Sequence, residues 1–186
     1  MVSKGPFSFV CVLFFILDLF VIPTKACIDI SYSLEDMGLN RWKATYQIDN
    51  RDTSFGVQWL SVFYDYGLYE AIQIETLSPL AEQWNQTVWD PKMIDSLPIP
   101  GLYDVQALTG GIMPGQSLSG FAVSFIWTQE GMPIVPQRFE VYNNMYDLQY
   151  PWVGTTVYIP EPTSMLVLGV GVLLGMYFRF DERRYS

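Results

Sequence analysis

The segment Arg41-Trp42-Lys43-Ala44-Thr45-Tyr46-Gln47-Ile48 decides the fold class of this chain. Its even-numbered residues are apolar or aromatic, and its odd-numbered residues are polar or charged. Side chains along a β-strand point alternately to opposite faces, so this period of two predicts a strand with one buried face. Comparable segments lie at 57–64, 121–127 and 138–142. The 57–64 segment is apolar on both faces, which predicts a strand in the middle of a sheet.

Shorter strand candidates and turn signals fill much of the remaining sequence. Weaker strand patterns occur at 71–76, 103–108 and 155–159, and 143–154 is typical of a loop. Clusters of glycine and proline separate the strands. They include Pro98-Ile99-Pro100-Gly101, Gly110-Gly111 and Met113-Pro114-Gly115. Many short strands with little helical periodicity predict an all-β domain at 27–158, built as an antiparallel β-sandwich of the immunoglobulin-like or jelly-roll-like kind.

Residues 1–26 have the organisation of a secretory signal peptide. A lysine near the start supplies positive charge, residues 7–22 form an apolar region, and Ala26 offers a small residue before cleavage at Cys27. We therefore expect an N-terminal signal helix that is removed on export. Asp18 interrupts the apolar region, and a carboxylate is costly inside a membrane. An uncleaved N-terminal anchor is the alternative.

Cysteine usage limits how the exported domain is held together. The two cysteines are Cys11 and Cys27, so removal of residues 1–26 leaves one and no intramolecular disulfide can form. The domain must then be stabilised by its core. A lipid-modified Cys27 is an alternative, but Lys25 stands where lipoprotein signals carry a small residue.

The charge of the chain excludes one class of partner. It has 19 acidic and 10 basic residues, a net charge of −9, and the acidic excess lies between the two terminal segments. Nucleic acids and anionic membranes attract the opposite sign. We therefore expect no nucleic-acid partner, and repulsion from acidic polymers unless divalent cations bridge them.

Nothing in the sequence selects a catalytic centre. The chain contains no histidine, which excludes Ser-His-Asp and Cys-His nucleophiles and histidine-ligated metals. Paired carboxylates, which glycoside hydrolysis requires, occur throughout an acidic domain. The candidates are Glu70, Glu75, Asp90, Asp95, Asp104, Glu130 and Glu140. We predict no catalytic residue, no cofactor and no metal site, and a protein that is not an enzyme.

Oxygen-bearing side chains cluster just after the first strand pattern, at Asp49, Asn50 and Asp52. Calcium binds such ligands. The cluster lacks the glycine and the distal glutamate of an EF-hand loop, and Asn and Asp are the usual formers of turns. A turn is the favoured interpretation, and a calcium site is the alternative.

Six tryptophans are many for a chain of 186 residues. Trp42, Trp59 and Trp127 lie in strand patterns and are expected in the core, where tryptophan is usually buried. Trp84 and Trp89 lie in a less regular segment. They are candidates for carbohydrate contact through ring stacking, with burial in the core as the equal alternative.

The C-terminal segment, 159–186, has three parts in a fixed order. Pro160-Glu161-Pro162 comes first, and its prolines predict an extended, non-helical neck. An uncharged apolar run follows at 165–178. A helix of that length covers about 21 Å, which is short of the roughly 30 Å of a bilayer core. Flanking residues or bilayer thinning would have to complete a transmembrane helix.

The end of the chain is basic, with Arg179, Arg183 and Arg184. Arginines after a membrane helix stay on the cytoplasmic side, which places the bulk of the protein in the periplasm. The alternative to a processed signal is an ordinary short anchor, with Gly171 and Gly175 as a helix-packing face.

These residues resemble the PEP-CTERM sorting signal of Gram-negative, biofilm-forming bacteria. The Pro160-Glu161-Pro162 neck matches the motif itself, the run at 165–178 matches its short helix, and the three arginines match its basic end. The resemblance implies recognition by an exosortase. It also implies release or transfer of the protein to the cell surface or the extracellular polysaccharide matrix.

Two functions of different classes remain as expectations. The first is an exported, non-enzymatic surface or extracellular-matrix protein of a biofilm, held in the membrane through 165–178 and sorted by an exosortase. The alternative is a carbohydrate-binding or carbohydrate-cleaving β-sandwich module delivered by the same route. Exopolysaccharide is a candidate partner in both.

Overall fold

The computed structural model describes residues 27–51, 53–143 and 151–160. The predicted signal helix at 1–26 and the predicted transmembrane helix at 165–178 lie outside the described residues, as do Glu161, Pro162 and the three arginines. In the described part of the chain, no helix has the length and apolar character needed to cross a membrane.

The described chain is almost entirely β-structure. In chain order its elements are β1 Cys27–Gly38, β2 Arg41–Arg51, β3 Trp59–Tyr64, β4 Tyr69–Ile74, α1 Leu80–Gln83, β5 Trp84–Trp89, β6 Lys92–Ile94, β7 Leu97–Ile99, β8 Gly101–Ala107, β9 Gln116–Trp127, β10 Arg138–Tyr142, β11 Trp152–Thr155 and β12 Val157–Tyr158.

Two five-stranded sheets carry the fold. The first sheet has the order β12-β1-β2-β9-β4, and the second has the order β11-β10-β3-β8-β5. β6 and β7 form a separate hairpin. Neighbouring strands are antiparallel, apart from β12, which runs parallel to β1. The predicted all-β architecture with antiparallel sheets is confirmed, and β3 lies in the middle of its sheet as its apolar faces predicted.

The core is unusually rich in tyrosine. The largest fully buried side chains include Tyr32, Tyr46, Tyr64, Tyr69, Tyr103, Phe121 and Phe125. The hydroxyls of Tyr46, on the first sheet, and Tyr64, on the second, form a hydrogen bond of 2.6 Å inside the core. Tyr69 packs edge-on against Tyr64 and Phe125, with ring centroids 5.0 Å apart in both pairs. The aromatic rings supply apolar area while their hydroxyls remain paired.

A β-bulge at Gly120 sets which residues of β9 face the core. Phe121 pairs with Tyr46, whereas Ser119 pairs with Gln47, so Gly120 is the extra residue. It has φ +108°, a conformation that favours glycine. The extra residue shifts the pairing of β9 with β2 by one position. Phe121, directly after the bulge, is fully buried.

Three sequence predictions need correction. The patterns missed β1, β5, β6 and β7, and the predicted loop at 143–154 contains the start of β11. Trp59 was expected in the core, but Leu60, Val62 and Tyr64 are the buried residues of β3. Both faces of this strand are apolar, so the sequence pattern does not show which face is buried. In the structure, the face that carries Trp59 points outward.

Candidate functional site

The residue directly before the neck is attached to the sandwich. The amide of Ile159 donates a hydrogen bond of 2.8 Å to the carbonyl of Tyr32 on β1, directly after β12. Val157 and Tyr158 pair in parallel with Ser31 and Tyr32. The chain therefore leaves the first sheet at Pro160, and no spacer separates the folded body from the Pro-Glu-Pro sequence.

A surface cleft of about 420 Å³ lies beside this exit. Its floor consists of small polar side chains on the outer face of the first sheet, and its wall includes the chain exit. The lining residues are Ser31, Tyr32, Ser33, Thr45, Tyr46, Gln47, Ser119, Ile159 and Pro160. The start of the neck thus borders an open cleft on the first sheet.

The two tryptophans predicted as carbohydrate contacts lie in different environments. Trp84 is 5% exposed and packs edge-on against Phe121, with ring centroids 5.1 Å apart, so it belongs to the core. Trp89 is 58% exposed at the end of the same strand. They are five residues apart, so a strand directs them to opposite faces and they do not form one surface.

The outer face of the second sheet carries an ordered group of aromatic and charged side chains, which we term the outer platform. It consists of Trp59, Ser61, Asp104, Arg138, Glu140 and Tyr142. The register brings them together: Tyr142 pairs with Trp59, and Glu140 and Asp104 both pair with Ser61, from opposite sides. Sequence reasoning missed this group because its members come from three strands that are distant in sequence.

Hydrogen bonds connect the members of the outer platform. Asp104 Oδ1 accepts from Trp59 Nε1 at 2.5 Å and from the Ser61 hydroxyl at 2.6 Å. Glu140 accepts from the Tyr142 hydroxyl at 2.7 Å and also pairs with Arg138. The Trp59 and Tyr142 rings are 5.3 Å apart.

Burial and the nearby Glu140 carboxylate raise the pKa of Tyr142 to about 12. Its hydroxyl therefore remains protonated at neutral pH and donates to Glu140. This donor fixes one oxygen of Glu140, and Arg138 fixes the other. The platform side chains are thus held in place by one another and need little reordering to bind a ligand.

The predicted Asx cluster has a structural role at Asn50. This side chain is fully buried and donates to the carbonyls of Phe55 and Ile112 at 2.9 and 2.8 Å. It also accepts a hydrogen bond from Thr53. Asn50 thus organises the turn after β2, which is the favoured interpretation of the sequence.

Asp49 is buried beside this turn. Burial alone would raise the pKa of its carboxyl group, but hydrogen bonds from Ser117 and Gln47 and the charge of Arg51 lower the pKa overall. Among the described residues, no group of three or more His, Cys, Asp or Glu side chains is arranged to hold a metal ion. Asp52 lies outside the described residues.

Comparisons with solved structures find distant β-sheet modules. The chain is similar to a family 3b carbohydrate-binding module from Clostridium clariflavum, with 13% identity and a TM-score of 0.41, over 64% of this chain and 93% of that one. It is also similar to a cohesin module from a Clostridium perfringens family 33 glycoside hydrolase, with 10% identity and a TM-score of 0.38, over 74% and 100%. These scores are too low to assign a function.

Sequence comparison identifies one part of the chain. A search of characterised proteins found no match. The family model of the PEP-CTERM protein-sorting motif matches residues 159–184. This range begins at Ile159, the residue that the structure places at the exit from the sandwich. The chain is therefore a protein that carries a PEP-CTERM sorting motif at its C-terminal side.

Proposed function

We propose that this chain is an exported, non-enzymatic surface or extracellular-matrix protein that an exosortase processes at its C-terminal signal. Residues 1–26 direct export, and residues 165–178 hold the chain in the membrane with its bulk in the periplasm. Processing then delivers the β-sandwich to the cell surface or the matrix of a biofilm. The observation that supports this most strongly is the sorting motif at 159–184.

The attachment of Ile159 limits how far the sandwich can lie from the membrane before processing. Ile159 is hydrogen-bonded to β1, and the apolar run begins only six positions later, at Met165. A fully extended chain of that length spans at most about 20 Å. Before processing, the sandwich must therefore lie close to the membrane surface, and the enzyme must act in the narrow space between them.

The test is to alter the neck and follow the protein in a host that has an exosortase. The combined variant Pro160→Ala, Glu161→Ala and Pro162→Ala should stay in the membrane fraction, whereas the wild type should be shortened and leave it. The control is Glu130→Ala, an exposed change elsewhere on the domain. Equal shortening and release of the neck variant and the wild type would refute the proposal.

Carbohydrate binding is the second candidate function, and the outer platform favours it. Half-buried aromatic rings with hydrogen-bonding groups beside them suit a ligand that has both apolar and hydroxyl-bearing surfaces. Trp89 lies exposed on the same side of the second sheet, since it pairs with Leu102 on β8. The first function does not depend on this one.

A further inference from the structure

The outer platform lies at the centre of the outer face of the second sheet, and its side chains are partly exposed apart from the buried Ser61. Its register forms parallel rows across the strands: Tyr142 and Trp59 in one row, and Glu140, Ser61 and Asp104 in the next. Adjacent strands lie about 4.8 Å apart, so each row places neighbouring side chains at regular, short intervals. An aromatic row therefore lies directly beside a polar row.

The far edge of the platform continues this arrangement. The guanidinium of Arg138 lies over the ring of Phe63, with its central carbon 4.7 Å from the ring centroid. Arg138 also pairs with Glu140, which accepts from Tyr142 in turn. One continuous network thus runs from the stacked guanidinium to the Trp59–Tyr142 pair.

The charge of the platform limits its ligand. Two carboxylates, Asp104 and Glu140, face one guanidinium, Arg138, which is already paired. The chain as a whole has a net charge of −9. An anionic polymer would be repelled, so the ligand should be neutral.

The hydrogen-bonding groups indicate what kind of neutral ligand fits. Asp104 is a hydrogen-bond acceptor within the platform, and both of its described hydrogen bonds reach Oδ1. Hydroxyl donors satisfy carboxylate acceptors, and hydrogen bonds to charged acceptors are the stronger ones. The C–H face of a pyranose ring is apolar and packs on an aromatic ring, while its hydroxyls lie at the ring edge. A sugar presents both features at once.

We propose that the outer platform is a binding surface for a neutral polysaccharide, with Trp59 and Tyr142 stacking on pyranose faces and Asp104 and Glu140 accepting hydrogen bonds from sugar hydroxyls. The proposal deepens the carbohydrate-binding alternative. It does not depend on C-terminal processing, so binding and processing succeed or fail separately. Pre-ordering by the network reduces the entropy cost of fixing these side chains on binding.

The test measures retention of the full chain, purified in a detergent without a sugar headgroup, on insoluble polysaccharides. The matrices are cellulose and chitin, which are neutral, and an alginate gel, which is anionic. We expect the wild type to be retained on a neutral matrix and not on alginate. Trp59→Ala should weaken that binding about tenfold or more, as expected for removal of a central aromatic contact.

Matched variants separate binding from folding. Tyr66 is an aromatic residue that is 44% exposed and lies outside the platform, and Tyr66→Ala should bind as the wild type does. If circular dichroism shows that Trp59→Ala is unfolded, Trp59→Phe and Tyr142→Ala replace it. Trp59→Phe keeps an aromatic ring and should lose less affinity than Tyr142→Ala.

Three results would overturn the proposal. The first is a folded wild type that is retained on neither neutral matrix. The second is equal retention of the wild type and the folded platform variants. The third is self-association in analytical ultracentrifugation that Trp59→Ala abolishes while polysaccharide binding is absent, which would assign the face to a second copy of the chain.

Discussion

At the scale of single residues, the buried tyrosines are the most unusual feature of this protein. Tyr46 and Tyr64 are both fully buried, and their hydroxyls satisfy one another across the two sheets. Burial raises the pKa of each well above its ordinary value, since a phenolate would have to exist without water. Burial likewise raises the pKa of Tyr32 to about 12.

These shifts predict how stability depends on alkaline pH. A tyrosine has a pKa of about 10 in the unfolded chain, and in the fold these groups have higher values. Their contribution is therefore fully present below about pH 10 and is lost as the pH rises through the folded values. We expect cooperative alkaline unfolding in which tyrosinate absorbance and loss of β-sheet circular dichroism coincide. Ionisation of the buried tyrosines near pH 10 with the sheet signal intact would contradict this.

Among the polar residues of the first sheet, Asn50 should contribute most to the stability of the fold. Asn50→Ala removes the donors to the carbonyls of Phe55 and Ile112 and the acceptor for Thr53. Leaving buried groups unpaired costs about 1–3 kcal/mol each, so we expect a loss of about 2–4 kcal/mol. Urea unfolding followed by tryptophan fluorescence measures this.

The control for Asn50 is Asn85→Ala, because Asn85 is exposed on β5. If both variants shift the urea midpoint equally, Asn50 does not organise the turn. Added calcium tests the alternative interpretation of Asp49, Asn50 and Asp52 as a calcium site. A bound ion would stabilise the wild type and raise its urea midpoint. The turn interpretation predicts an unchanged midpoint with calcium.

At the scale of secondary-structure elements, β9 depends on one glycine. Gly120 has φ +108°, and the nearest atom to an added Cβ would be a Leu80 methyl carbon at 3.6 Å. There is room for the methyl group, so the cost of Gly120→Ala is backbone strain of about 1–3 kcal/mol. We expect a lower thermal midpoint with an unchanged fold, measured by circular dichroism.

Ser119→Ala is the matched control for the bulge. It adjoins Gly120 and lies on the outer face, with no positive φ to maintain. A thermal midpoint for Gly120→Ala that equals that of Ser119→Ala would show that the positive φ at position 120 does not require glycine.

Much of the fold could be predicted from alternation alone. β1 was missed even though Ile28, Ile30, Tyr32 and Leu34 alternate with polar residues and are all buried. This alternation begins directly after the expected cleavage site, where the signal-peptide pattern ends. β5 is harder to predict, because it is an edge strand and Trp84 is its only buried residue.

The outer platform could not be predicted in the same way. Alternation shows which residues share a face of one strand, but it does not show which strands are neighbours. Trp59 and Asp104 are 45 residues apart in sequence, and they meet only because β3 pairs with β8. Trp59 itself was assigned to the core because tryptophan is usually buried and both faces of its strand are apolar.

At the scale of the whole molecule, the sequence was most informative at the C-terminal end. A sorting signal is a linear arrangement of neck, apolar run and basic residues, so it can be recognised without knowledge of the fold, and the motif is confirmed at 159–184. The structure adds that the motif begins where β12 leaves the first sheet. The folded body and the signal are therefore directly joined.

The central claim is that this C-terminal signal is processed, and the mass of the mature protein tests it most directly. The protein should be purified from its native host and its C-terminal peptide identified by mass spectrometry. The account predicts a C-terminus at or shortly after the neck at 160–162, with the apolar run and the arginines absent. A mature protein that ends at Ser186 would contradict it, because the segment 165–178 would then be a permanent membrane anchor.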